Sequence, residues 1–384
     1  MKIAIIGKGT SSIITALICM SRGHSVEIFY DPKVPPIDVG ESTTPHIGQL
    51  ILRTLDLSIG HLVDEDICSY KHGAYFLDWG VGNPFKHHFE NETSFHFNTI
   101  KFNNYIHNIL EEGGVKYHPI RVDSSSFEKT DRKVIIDGKK YDFQISCVGW
   151  EDTDEYIPSP FETVNAGILY HKNHIEEPLY TVHRATKNGY EFELPFPKEN
   201  ASHCGHLFNR NLVDVDQVYQ EVKQKYPECR KIQWNPRYSK RLIQNNLEAY
   251  NGNRVFFSDP LQSLSLYNYH VFVTLICNYL EDRTYENLVS INETYIKHLR
   301  AYFETLAYHY KFGSIYESEF WTDVKKRASD FLCFSPNVVD INIFKQNILV
   351  YKRTDSKVDR TWVGTFKHPS TKDIYEGMTG KSLF

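Results

Sequence analysis

Residues 2–6, KIAII, are apolar almost without interruption, and Gly7-Lys8-Gly9-Thr10-Ser11-Ser12 follows at once. A short apolar run closed by glycine reads as a strand buried on both faces. Residues 13–21 then carry a helix-like run, and residues 25–30 form a second strand-like run. The pattern predicts a βαβ opening. In such a unit Gly7 and Gly9 let the backbone turn sharply and approach a pyrophosphate, while Thr10, Ser11 and Ser12 open a helix whose N–H groups and dipole favour an anion. Ser12 stands where a third glycine is usual and is small enough for the helix to pack on the strand. Asp31, just past the second strand, is placed to hold a ribose hydroxyl. This fingerprint points to a dinucleotide and does not by itself separate NAD from FAD.

The pattern further along is mixed. Residues 32–36 are too proline-rich for a helix or central strand, and Val39-Gly40-Glu41-Ser42-Thr43-Thr44-Pro45 reads as a second anion-friendly turn before a helix from His46. The stretch CSYKHGAYFLDW, residues 68–79, alternates as a strand with one lysine among aromatics. Strict alternation places Lys71 on one face with Gly73, Tyr75, Leu77 and Trp79. Its ammonium there either reaches water along its stem or is chemically employed. Beyond it lie a helical run at 99–112 and a hairpin at 132–141 turning at Asp137-Gly138. A strand at 143–148, ending at Gly149-Trp150, is expected to return to the sheet beside the nucleotide. Antiparallel strands are expected at 180–194, with helices at 213–225, 263–280 and 286–310. We divide the chain into a module of residues 1–285, with an interleaved sheet, and a mainly helical part of residues 286–384.

Composition narrows the function. A chain of 384 residues with 41% hydrophobic and 24% charged residues can bury a core. The net charge of −5 and a densest basic cluster of only Lys325 to Arg327 argue against nucleic acid. No signal-peptide pattern opens the chain, and the apolar run at 271–280 is too short to cross a bilayer, so a cytoplasmic protein without a membrane partner is expected. Seven cysteines without CxxC spacing suggest reduced thiols and no metal site. The 25 tyrosines and 24 phenylalanines suit an aromatic core, and equally a planar cofactor and substrate.

Taken in order, these stations resemble the flavin-dependent halogenases of the tryptophan-halogenase type over roughly residues 1–325. Gly7 and Gly9 match the family's fingerprint, and Gly40-Glu41-Ser42-Thr43-Thr44-Pro45 its second motif. Tyr70-Lys71 matches its lysine segment, with Phe76 and Trp79 downstream. Phe95-His96-Phe97-Asn98, Cys147-Val148-Gly149-Trp150 and Tyr190-Glu191-Phe192-Glu193-Leu194-Pro195 match three further stations, the last with both tryptophans replaced by smaller aromatics. The resemblance implies an α/β fold with an FAD-binding Rossmann-like module, an interleaved β-sheet substrate region and a helical C-terminal part. It implies that FADH2, oxygen and halide yield hypohalous acid, which Lys71 presents to an electron-rich aromatic. Gly7, Gly9, Thr10, Ser11, Ser12, Asp31, Glu41, Ser42, Thr43 and Pro260 are then expected at the flavin. Trp79, His96, Tyr190, Phe192 and Trp321 are expected at the substrate cleft.

The chain departs from that pattern in one block. Asp259-Pro260-Leu261-Gln262-Ser263-Leu264-Ser265 aligns with the segment that supplies a carboxylate near the lysine and amides for the halide. Gln262 takes the carboxylate's catalytic place, and an amide cannot accept a proton. Either Asp259 or Asp78 compensates or the lysine suffices. Leu264 and Ser265, at the halide positions, replace threonine and glycine. The segment 252–258 is shorter than the flavin loop the family carries. A short tail after Tyr310 points to an aromatic other than free tryptophan. A single nucleotide fingerprint implies a separate, transiently bound NAD(P)H flavin reductase, and a homo-oligomer is compatible with this reading. The alternative is a flavin-dependent aromatic monooxygenase, and a third reading is a flavin-binding protein without halogenation.

Overall fold

The computed structural model describes residues 1–35, 39–81, 84–89, 94–122, 127–129, 133–149, 155–333 and 368–380. Pro36, Arg132, Trp150 and the Gln262 side chain, all invoked above, lie outside the described positions. The chain forms two compact units, and each is built from three separate segments. One comprises Met1–Ser69, Ser94–Pro158 and Pro236–Ile296; the other comprises Tyr70–Thr93, Ser159–Asn235 and Lys297–Phe384.

The first unit is organised by a six-stranded sheet in the order Ile243–Asn245, Glu248–Tyr250, Phe143–Ser146, Lys2–Ile6, Ser25–Phe29, Lys116–His118. Every neighbouring pair is parallel except the first, so the sheet is Rossmann-like with an antiparallel edge. Lys2–Ile6 sits between the second and fourth of these strands in chain order because its side chains are apolar on both faces and must be covered on both. Helix Thr10–Ser21 connects the first two strands, and helix Ser265–Glu281 packs against it, bringing Cys19 Sγ and Cys277 Sγ to 3.9 Å. All seven cysteines are free. Helix Thr99–Glu112 starts where Asn98 turns its side chain to accept from Ile100 and Lys101 N–H, and it leads to the last strand of the sheet. The hairpin Val134–Ile136 and Lys139–Tyr141 turns at Asp137 and Gly138, with φ of 49° and 71°, the left-handed pair that matches strand twist.

The second unit is built on a seven-stranded sheet in the order Arg230–Gln233, Ala166–Lys172, Ala201–Phe208, Gly189–Phe196, Tyr180–Thr186, Gly73–Leu77, Phe85–His88. Its strands are antiparallel except for Tyr180–Thr186 beside Gly73–Leu77. Alternation gives each face a distinct content. One face carries Ile168, Tyr170, Cys204 and Phe208 and is covered by Val218 and Val222 of helix Val215–Lys225. The other carries Phe76, His183, Tyr190 and Phe192. Helices Glu319–Cys333 and His368–Thr379 belong to this unit, as does the part of helix Tyr285–Phe312 from Lys297 onward. His368–Thr379 lies on the edge strand so closely that a Cβ at Gly377 would stand 2.1 Å from the Phe85 ring.

Two expectations change. The extended run through Lys71 is broken: one strand ends at Lys71, His72 interrupts, and Gly73 presses within reach of the His87 carbonyl, where a Cβ would stand at 2.1 Å. Asp78, at a φ of 63°, breaks it again before Trp79. Strict alternation is therefore lost. Trp79 packs on Phe76 at 5.8 Å instead of sharing a face with Tyr75 and Leu77. The helix expected from 263 begins at Ser265, because residues Leu261–Ser263 form a 3₁₀ turn whose first N–H is held by Asp259 Oδ1 at 2.9 Å. No helix among the described residues is long and apolar enough to cross a membrane.

Candidate active site

The candidate residues fall in both units, and each cluster is built within its own. In the first unit the strand Lys2–Ile6 delivers the chain to Gly7, whose φ of 119° an L side chain rarely adopts, and a Cβ there would stand 3.0 Å from the Cys147 carbonyl oxygen. Gly9 differs. It is the helix cap in ordinary extended backbone, and a Cβ there would meet nothing within 4 Å. The glycine at position 9 is not needed for the fold, so the open space in front of it is what a side chain would fill. No side chain caps the helix and no acid lies in its first turn. Ser12 instead turns its hydroxyl back to the Gly9 carbonyl at 2.6 Å, and the Thr10 hydroxyl donates to Asn103 Oδ1 at 3.1 Å. A Cβ on Gly252 would press on Ser11 Oγ at 2.5 Å, so this short loop backs the glycine turn. Asp31 is half-buried, and its Oδ1 accepts from Lys33 N–H at 2.9 Å.

The strand Gly40–Ser42 pairs with Ser94–Asn98 and carries Glu41 into the interior of the unit. Glu41 Oε2 is buried without a hydrogen-bond partner among the described residues, and burial pushes the carboxyl up to about 7 against a bond from Thr10 that lowers it. An orphaned carboxylate oxygen beside an open glycine and an uncapped helix start suits a nucleotide that brings hydroxyl or amide donors. The residues present thus fit a flavin nucleotide. Thr43 closes this corner through the Ser94 hydroxyl and the Phe95 backbone, and Ser42 bonds the hydroxyl of Ser263, which holds a φ of 58°. Pro260 caps the 3₁₀ turn, Leu264 is buried, and Ser265 opens a helix that no side chain caps. His96, also in this unit, is buried with Nδ1 3.3 Å from Ser69 Oγ.

Glu41 yields a measurable pH effect. Its folded value of about 7 lies above the ordinary 4.5, so between those values the folded protein binds more protons and loses stability as pH rises. Glu41→Gln is expected to leave apo-protein stability unchanged at pH 4 and to raise it above pH 7, by at most about 3 kcal/mol. Urea titrations at the two pH values read the difference.

In the second unit Lys71 is 1% exposed, its Nζ lies 5.3 Å above the Phe89 ring, and burial lowers its ordinary value of 10.5 to about 7. Phe76 stacks on Phe85 at 4.8 Å and on His183 at 5.2 Å, and lies 5.8 Å from His309. Trp79 contacts Tyr190, Tyr310 and Trp321 at 5.6, 5.4 and 5.2 Å, and Trp321 donates its indole N–H to the Thr186 carbonyl at 2.7 Å. The Trp79 indole nitrogen is buried with no partner among the described residues. Phe192 stays half-buried over Gly205, where a Cβ would stand 2.3 Å from its ring. Asp78, weighed above as a substitute carboxylate, faces Arg184 at 3.8 Å. Asp259 spends its Oδ1 on the Leu261 N–H.

The sequence singled out Lys71, Trp79, Tyr190 and Trp321, and the fold gathers them in one unit. It missed His183, His309 and Phe89. Alternation across residues 180–196 carries the missing signal, since it puts a histidine on the face of two aromatics. Among the described residues no group of three or more His, Cys, Asp or Glu could hold a metal ion.

A chain so arranged has counterparts. It is similar to the tryptophan halogenase of Shewanella frigidimarina (16% identity, 98% of this chain and 88% of that one, TM-score 0.77). It is similar to BrvH, a flavin-dependent halogenase from a Brevundimonas species (17%, 98% and 89%, 0.76). The tryptophan 6-halogenase SttH of Streptomyces toxytricini superposes with a TM-score of 0.79 at 17% identity over 100% of this chain and 91% of that one. Among curated proteins no sequence matches. The profile of the tryptophan halogenase family matches residues 2–105 and 90–379, nearly the whole chain, and the protein therefore belongs to that family of FADH2-dependent oxidoreductases.

Proposed function

We propose that this protein uses reduced FAD, oxygen and a halide ion to halogenate an electron-rich aromatic compound, with Lys71 presenting the oxidised halogen. The observation that carries the reading is the lysine itself: an ammonium 1% exposed, set over an aromatic ring, with its proton affinity lowered by burial to about 7. Such a group holds a neutral oxidant by hydrogen bonding or attacks it as a free amine. Bound flavin supplies hypohalous acid from oxygen and halide. Gly7, Gly9, Thr10, Ser11, Ser12, Asp31, Glu41, Ser42, Thr43 and Pro260 are the residues proposed to hold the flavin. The Phe89 ring beside Lys71 and the aromatic cluster of the same unit are the groups proposed to exclude water and orient a flat substrate. A separate NAD(P)H flavin reductase is the proposed partner. The test is product mass from an aromatic panel with NADH, FAD, a flavin reductase, and bromide present or withheld. Halide-dependent bromination supports the assignment, whereas a gain of oxygen alone means hydroxylation.

The halide preference follows from Leu264 and Ser265 at the uncapped start of helix Ser265–Glu281. Chloride holds its hydration shell tightly and needs well-placed donors; leucine in place of a hydroxyl removes one and adds polarizable contact. Bromide and iodide are expected to outcompete equal chloride, after subtraction of the reaction of free hypohalous acid. Leu264→Thr is expected to move the product ratio toward chloride, and a wild-type preference for chloride would contradict the assignment.

A further inference from the structure

His183 is the buried polar group near Lys71 that the proposed function leaves unused. It sits in strand Tyr180–Thr186 directly across from Phe76 on one side and Phe192 on the other. The ring is 2% exposed, stacks on Phe76 at 5.2 Å and lies 5.9 Å from Tyr190. Neither Nδ1 nor Nε2 has a hydrogen-bond partner among the described residues. Leaving a buried ring nitrogen unsatisfied is costly, and the buried indole nitrogen of Trp79, whose ring also contacts Tyr190, has no partner among the described residues either. Polar atoms left open in a packed aromatic cluster mark a place where a ligand brings the missing partner. Burial, and after it the charges of Lys71 and His309, hold the His183 ring neutral well below its ordinary range. His309, its other titratable neighbour, spends Nδ1 on the Thr305 carbonyl at 2.8 Å.

We propose that His183 accepts the ring proton of the aromatic substrate as halogen presented by Lys71 adds to the ring. The inference rests on the function proposed above. In that step the ring's π pair forms the carbon–halogen bond while the halogen–oxygen bond of hypohalous acid breaks with its pair on oxygen. The released hydroxide takes a proton from the Lys71 ammonium and leaves as water; the substituted carbon loses its own proton to an imidazole nitrogen while the C–H pair restores aromaticity, and the imidazolium returns that proton to the lysine. A ring cation is so strong an acid that its acceptor needs only to be unprotonated and in place; a high proton affinity is not required. A neutral imidazole meets this condition with a free nitrogen pair, whereas an amide, its nitrogen pair delocalised, offers only a very weakly basic oxygen.

The experiment uses the full chain with FAD, a flavin reductase, bromide, and either indole or ring-deuterated indole. Wild-type protein is expected to brominate both at the same rate, because proton loss is fast. His183→Phe keeps the stacked ring and removes the acceptor, so the rate is expected to fall roughly 10²-fold and a primary deuterium isotope effect to appear. His183→Asn, which hydrogen-bonds but cannot take the proton, is expected to show the same isotope effect, and it carries the test if the phenylalanine variant does not fold. A second readout needs no turnover: in protein labelled with ¹⁵N-histidine, indole alone should shift a His183 ring nitrogen. Wild-type rates in either folded variant, a slow variant without an isotope effect, or an unmoved His183 resonance would overturn the proposal. Lys71→Ala separates this from the parent reading: bromination that survives loss of the lysine defeats the proposed function, whereas bromination that requires Lys71 but ignores His183 defeats only this inference.

Discussion

Replacing Lys71 with methionine should abolish halogenation and leave a more stable protein. An ammonium 1% exposed costs free energy in every folded molecule that carries the charge. The fall of its value from 10.5 to about 7 corresponds to at most about 5 kcal/mol. The sign is definite. Between pH 7 and 10.5 the unfolded chain binds the proton that the folded chain releases, so wild-type stability climbs with pH through that window, and the full penalty is present below pH 7. Lys71→Met keeps the stem and discards the charge, so at pH 6 it should gain stability on the order of 2 kcal/mol, less than the upper bound because contacts of the ammonium are lost with it. The gain should shrink as pH approaches 10.5. Halogenation should fall roughly 10³-fold or more, with FAD binding retained. Denaturant melts across pH, flavin absorbance and product mass read the three quantities. A variant that brominates at the wild-type rate would remove the lysine from the reaction, and one that is less stable at pH 6 would mean that the ammonium is well compensated where it sits.

Gly9→Val should fold normally and lose FAD. The backbone there is ordinary extended chain, and nothing stands within 4 Å of a Cβ, so a side chain has room to start. It fills the space in front of the uncapped helix start, where a pyrophosphate would approach, and affinity should drop roughly 10²-fold or more. Gly7→Ala should fail in the opposite manner. At a φ of 119°, with the Cys147 carbonyl oxygen 3.0 Å away, even a methyl group strains the fold by about 1–3 kcal/mol. Titrating FAD by absorbance and melting each variant distinguishes a residue kept for the ligand from one kept for the chain. Full FAD affinity in Gly9→Val would place the nucleotide elsewhere.

The two glycines show how far a sequence can be read. Their spacing after an apolar strand identified the turn, and the flanking periodicity identified the strand, the helix and the parallel partner at Phe143–Ser146. Which glycine serves backbone geometry and which serves a ligand was not legible, because that depends on the carbonyl of a residue about 140 positions away. The lysine segment shows the same limit. Its composition announced a buried aromatic strand with a charge, but counting by twos put Trp79 on the wrong face, since His72 and Asp78 each interrupt the strand. A reversal of that kind is set by neighbouring strands and turns, not by the alternation of side chains along one strand.

What the sequence determined by itself is the set of local elements and the family: periodicities of 2 and 3.6, a glycine fingerprint and a series of motifs in order are all properties of nearby residues. Tertiary structure alone decided that Glu41 keeps an orphaned oxygen near the glycine turn, that Asp78 is turned toward Arg184, and that His183 stacks on Phe76 within the electrostatic reach of Lys71. The physical reason is desolvation. Whether a carboxyl, an ammonium or an imidazole keeps its ordinary proton affinity depends on what surrounds it in three dimensions, and segments distant in the chain supply those surroundings.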